Sequence, residues 1–245
     1  MNMKILLPIM LLAFAALTTG CVKTPDEPET ITFSVLGDSY SALEGTLDPE
    51  TNDAYHYDAI GITEPEQMWW NILARKKGWV LDKNNSFSGS LICNYNYVNY
   101  YGAHSFIRRM DNLGQPDVIF IFGATNDACA HNADGTIVSL GDYIYSGWTE
   151  EQLCSFRPAL AYLYDNLKRQ HPNAKLYFLI DMHLGSGSIP VERRDAFIES
   201  IHHISSHYGV DCIDLHDIHK DQWHPDVKGQ QYIANTIVEY LAAAV

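Results

Sequence analysis

Short apolar runs stopped by glycine alternate along this chain with longer stretches in which apolar residues recur every three or four positions. Ile31–Leu36 (ITFSVL) is rich in β-branched residues and ends at Gly37, which predicts a buried strand. Glu64–Lys77 carries the helical period, with Thr63 as N-cap and Gly78 just past its end. Trp79–Leu81 predicts a second strand, and Asp117–Phe122 (DVIFIF), stopped by Gly123, is the plainest one. Phe156–Gln170 is helical, with Leu160, Leu163, Tyr164 and Leu167 on one face. Lys175–Ile180 (KLYFLI) predicts the fourth strand, Val191–Tyr208 a further helix and Val210–Ile213 the fifth strand. Gly229–Ala243 closes the chain, with Ile233, Ile237 and Leu241 turned inward.

Strands separated by helices imply a parallel sheet covered on both faces, here a three-layer α/β/α sandwich around five strands. No internal repeat and no second domain boundary interrupts it, so residues 31–245 form one domain. In such sheets ligands sit beyond the carboxyl ends of the strands.

The first twenty residues read differently. Met1–Lys4 give a short positive start and Ile5–Leu17 an apolar run too short to span a bilayer, as in an export signal. The run ends in Leu17-Thr18-Thr19-Gly20-Cys21, which resembles a bacterial lipobox with Thr18 where a Leu is usual. That resemblance implies cleavage after residue 20 and a lipid on Cys21. Residues 21–30, with the acidic, Pro-containing stretch Thr24–Thr30, read as a tether. The expected location is therefore the bacterial cell envelope, on the periplasmic or surface face of an outer membrane to which the chain is lipid-anchored.

Charge narrows the partners. With 16 Lys+Arg against 30 Asp+Glu the net charge is -14, and no basic stripe exists to engage phosphates, so nucleic acid is excluded. Cys93, Cys129, Cys154 and Cys212 allow three full pairings that sequence alone does not separate.

Every chemically suggestive residue follows a strand end. Gly37-Asp38-Ser39 follows the first, Ser88-Gly89-Ser90 the second, Gly123-Ala124-Thr125-Asn126-Asp127 the third, and Asp221-Gln222-Trp223-His224-Pro225 the fifth. A Ser in a tight turn exposes its hydroxyl, a Gly offers an unshielded N–H, and an Asn offers a further donor to a developing oxyanion. A His with an Asp three residues ahead supplies a base and a carboxylate to orient it. Taken singly, Ser39 is a helix N-cap, Asp221 and His224 are a turn residue and a surface His, and Asp127 caps the next helix.

Together the four blocks resemble the SGNH (GDSL) hydrolase superfamily, and within it the lipoprotein subgroup of Bacteroides relatives. Trp69-Trp70, Ser88-Gly89, Pro116-Asp117 and Arg157-Pro158-Ala159 are the features shared with that subgroup. The resemblance implies the flavodoxin-like SGNH fold and a serine esterase. Ser39 is then the nucleophile, His224 the base, Asp221 its orienting partner, and Ser39, Gly89 and Asn126 the oxyanion hole. Neither a metal nor a cofactor is required.

The expected substrate is a small ester, with an O-acetylated glycan in the lead. Tyr95, Tyr97 and Tyr100, interleaved with Asn in Cys93–His104, are candidate sugar platforms or, equally, residues that pack their loop. Two alternatives stand: a lipolytic esterase or thioesterase, and a catalytically silent glycan-binding lipoprotein. His203 and His207 have metal-ligand spacing but lack a carboxylate partner, so they read as plain helix residues.

Overall fold

Non-alternating apolar runs make strands that are buried on both faces, and the third strand shows this directly. The computed structural model describes residues 30–95, 104–130, 135–185 and 187–243. In β3 (Val118–Phe122), Val118, Phe120 and Phe122 enter one core while Ile119 and Ile121 enter the other. The remaining strands of the sheet are β1 (Thr32–Gly37), β2 (Val80–Ser86), β4 (Lys175–Asp181) and β5 (Asp211–Leu215). All pair in parallel, in the order β2-β1-β3-β4-β5. Helices α1 (Trp69–Lys77) and α6 (Val227–Ala243) cover one face. Helices α2 (Phe106–Arg109), α4 (Phe156–Gln170) and α5 (Val191–Tyr208) cover the other. This is the expected three-layer sandwich. A short helix, α3 (Thr125–Cys129), follows β3, and a ribbon of β6 (Lys220–Asp221) and β7 (His224–Pro225) follows β5.

The strand order places a topological switch point between β1 and β3, because the chain leaves β1 for one edge and returns on its other side. Ser39 follows β1 and Asn126 follows β3, so both lie at that crevice.

Three elements differ from expectation. The single helix over 64–77 is split: Pro65–Gln67 form a 3-10 turn, Met68 is extended (φ -78°, ψ 143°), and α1 starts at Trp69. Gln67 ends the turn by accepting the Thr63 and Glu64 N–H groups on its side-chain oxygen, at 2.8 and 3.0 Å, and Met68 drops fully into the core. β2 runs through the polar stretch to Ser86 because it is an edge strand with much of its length facing water. The β6–β7 ribbon carries no apolar signal, and Gly229 in α6 seats it. A β-carbon there would lie 2.1 Å from the His219 carbonyl oxygen, so only glycine permits the approach.

Candidate active site

The turn that carries Ser39 grows out of β1. Gly37 ends the strand, Asp38 accepts the Tyr40 N–H at 2.9 Å, and Ser39–Ser41 form a 3-10 turn. Neighbouring elements fasten that turn. The Asp38 N–H donates to Phe122 O at the end of β3 (3.1 Å), and Trp69 Nε1 donates to Ser41 Oγ (3.0 Å). Trp70 Nε1 and Asn84 Nδ2 donate to Ser41 O at 3.2 and 3.0 Å. Tyr57 O–H donates to Ser39 O at 2.8 Å. Gln230, fully buried on α6, accepts the Trp69 N–H and donates to Tyr40 O. Both Trp69 and Trp70 are thus core residues that brace the turn carrying Ser39, a role their positions in sequence did not disclose.

His224 lies on β7 with Nε2 2.9 Å from Ser39 Oγ. Tyr55 stacks on the imidazole, with centroids 3.5 Å apart and planes at 20°, while Tyr40 and Tyr57 meet it edge-on at 5.7 and 6.0 Å. Burial, assisted by the nearby Lys220 cation, pushes its pKa down to about 4. The ring is therefore neutral at pH 7. For Nε2 to accept the serine proton, Nδ1 must carry the hydrogen.

The expected bond between Asp221 and the His224 ring is not made in this structure. His224 Nδ1 is buried without a hydrogen-bond partner, and Asp221 is exposed to solvent. Asp221 stands directly opposite His224 in the ribbon, so it is a neighbour of the base but makes no bond to it. The residue between them, Gln222, is left-handed at φ 56°, a conformation that costs a non-glycine residue about 1–3 kcal/mol.

The residues expected to donate to an oxyanion lie close together. Gly89 has φ 75°, open to glycine, and Ala124 (φ 81°) turns the chain into α3 to present Asn126. Asn126 Nδ2 donates to Ser90 O at 3.0 Å and reaches Asp38 Oδ2 at 3.5 Å, tying the first three blocks together. Among the described residues no protein acceptor takes the backbone N–H of Ser39 or Gly89.

Beneath them lies a buried charge network. Arg109 is buried on α2, donating to the carbonyl oxygens of His104 (2.7 Å), Gly37 (3.1 Å) and Asn85, and to Ser90 Oγ (3.0 Å). It fastens the Gly37 and Gly89 blocks to each other. Burial pulls its pKa down to about 9 and pushes Asp38 up to about 7. Asp127 was expected to cap α3. Instead its buried carboxylate accepts the N–H groups of Ile92 (2.9 Å) and Cys93 (3.1 Å), holding the loop that follows Gly89. Phe106–Met110 (FIRRM) carries two adjacent arginines, and nothing in the sequence singles out Arg109 as the buried one.

Tyr95 packs against the α4–α5 core and donates to Thr136 O at 2.8 Å, which braces its own loop. Tyr97, Tyr100 and Cys21 lie outside the described residues. His203 and His207 each meet a tyrosine ring, Tyr143 and Tyr145 respectively.

A neutral imidazole on a strand-end serine, at a switch point with glycine and asparagine nearby, is an arrangement that can carry out acyl transfer. The family model of GDSL-like lipase/acylhydrolase matches residues 31–241. The chain belongs to that family. Two solved structures named for their likeness to GDSL lipases are similar to this hydrolase. One, from Bacteroides ovatus, is 43% identical with a TM-score of 0.76, covering 88% of this chain and 100% of that one. The other, from Bacteroides uniformis, is 37% identical with a TM-score of 0.73, covering 87% and 96%. An acetyl xylan esterase from Butyrivibrio proteoclasticus shares the fold at 16% identity and a TM-score of 0.56, covering 89% of this chain and 66% of that one. No curated protein matches the chain.

Proposed function

We propose that this GDSL-like hydrolase is a serine esterase that removes a small acyl group, acetyl foremost, from a glycan. The observation that carries the reading is the 2.9 Å contact between Ser39 Oγ and a neutral His224 Nε2. Ser39 Oγ attacks the ester carbonyl carbon while His224 Nε2 takes its proton. The oxyanion is received by the N–H groups of Ser39 and Gly89 and the amide of Asn126. The carbon–oxygen bond to the alcohol breaks, and His224 returns the proton to the leaving oxygen. Water then attacks the acyl-serine, again losing a proton to His224; the bond from the acyl carbon to Oγ breaks, His224 returns the proton to Ser39 Oγ, and the carboxylic acid leaves.

Asp221 enters when the imidazole becomes charged. Directly opposed residues of an antiparallel pair hold their β-carbons about 4.5–5.5 Å apart, so a change of rotamer brings the carboxylate toward Nδ1. The buried, unpartnered N–H favours that movement, since such a group costs about 1–3 kcal/mol. The glycan part of the reading is supported by a fold shared with carbohydrate esterases and by a chain with few charges and many tyrosines.

Hydrolysis of p-nitrophenyl esters from acetate to decanoate, alongside acetate release from acetylated xylan, tests this reading. Preference for the shortest acyl group and release from the polysaccharide are expected. Preference for eight carbons or more would replace it with a lipolytic enzyme. Cys21 is the proposed lipid site of an exported, envelope-anchored chain, and loss of fatty-acid labelling in Cys21→Ser checks that separately.

A further inference from the structure

Beside the base lies a cavity of about 240 Å³ to which nothing above gives a role. Tyr40, His183, Ser188, Lys220, Gln222 and Trp223 line it. It adjoins the reaction centre, because Tyr40 also meets the His224 ring edge-on and Trp223 is the residue immediately before His224.

Its chemistry is mixed in a specific way. Trp69 and Trp70 are buried, whereas Trp223 is 47% exposed and lines this cavity. The opposite character comes from Lys220 Nζ, which sits 5.2 Å over the Tyr40 ring and is ion-paired with the buried Asp181. Asp181 also accepts the His183 N–H at 3.0 Å, so one carboxylate sets two parts of the wall. A turn closed by the Ser188 N–H on Gly185 O (3.0 Å) presents Ser188.

Resting on the esterase reading, we infer that this cavity is the alcohol-side subsite and takes one neutral, hydroxyl-rich sugar ring, the ring that carries the ester. An aliphatic acyl chain here would strip water from the hydroxyl, amide, imidazole and ammonium groups without replacing its hydrogen bonds, which is unfavourable. Sugar hydroxyls replace them, and the apolar face of the ring lies on Trp223. An anionic sugar gains little, because Asp181 already neutralises Lys220. The volume lies below the roughly 300–1,000 Å³ of clefts that hold larger ligands, which fits one ring rather than a chain segment.

The test compares kcat/KM for a monoacetylated neutral methyl pyranoside with that for methyl acetate, whose alcohol has no ring. In Trp223→Ala the ratio of the two should fall roughly tenfold or more, and Trp223→Phe, which keeps a ring face, should recover most of it. An unchanged ratio, with both esters still hydrolysed, overturns the subsite and leaves the esterase reading standing. A selective loss on p-nitrophenyl octanoate instead overturns it in favour of an acyl pocket. If wild type hydrolyses neither ester and a serine-directed phosphonate fails to label Ser39, the esterase reading has failed and the subsite falls with it.

Discussion

Ser39 lies in a turn bonded to α1, α6, β2 and β3, whereas His224 lies on a two-residue strand whose neighbours Gln222 and Trp223 are exposed. The Ser39 turn has its Asp38 N–H and the Ser39, Tyr40 and Ser41 carbonyl oxygens bonded to residues distant in sequence. The base arm keeps an unpartnered Nδ1, an Asp221 turned to solvent and a left-handed Gln222. On the proposed mechanism a serine held in this way needs no reorganisation when charge develops, which is where preorganisation has its largest effect. A base that must take a proton and then give it back benefits from a carboxylate that responds to its charge. The difference between the two sides therefore assigns rigidity to the serine and adjustment to the aspartate.

The comparison can be broken from either side. On the rigid side Ser39→Ala should lower kcat for p-nitrophenyl acetate by roughly 10⁴-fold or more, as for other serine nucleophiles. Asn126→Ala should cost on the order of 10²–10³ in kcat, since it removes an oxyanion donor. Arg109→Leu removes one donor from the buried Gly37 and Asn85 carbonyl oxygens and from the Ser90 hydroxyl, so urea unfolding should show a loss of about 3 kcal/mol. A loss below about 1 kcal/mol would mean that the two blocks do not depend on it.

On the adjustable side the effects are smaller. Asp221→Asn should lower kcat by roughly ten- to a hundredfold, less than the ~10⁴ seen where an orienting aspartate is buried and bonded throughout. The smallest effect is in the pH profile. The free enzyme holds His224 near 4, and protonation removes the acceptor for the serine proton, so kcat/KM falls as pH drops through about 4. Because Asp221 does not touch the ring in that state, Asp221→Asn should leave this limb where it is. A wild-type limb near 6.5 that moves down in Asp221→Asn would show the carboxylate already bonded in the free enzyme.

Much of the frame was legible locally. Asp117–Phe122 and Lys175–Ile180 are apolar on both faces, and Val191–Tyr208 ends at Gly209 in a left-handed turn, so periodicity and punctuation sufficed. The Ser39 and Asn126 blocks were legible because each follows an apolar strand, and the Gly89 and His224 blocks through the family resemblance. What supports them was not. Gln230 reaches Trp69 across more than 160 residues of chain, and Arg109 reaches Gly37 across 72. Such partners leave no local pattern. Asp127 shows the same limit: a first-turn acid suggests a cap, yet its contacts are to a loop that precedes β3. The ribbon bearing His224 has two-residue strands, too short for alternation to register.

Intact-protein mass spectrometry after treatment with a serine-directed fluorophosphonate tests most directly whether His224 activates Ser39. A single adduct is expected, mapping to Ser39, absent from Ser39→Ala and formed far more slowly in His224→Ala. Labelling at another residue, no labelling of the wild-type protein, or an equal rate in His224→Ala would contradict it.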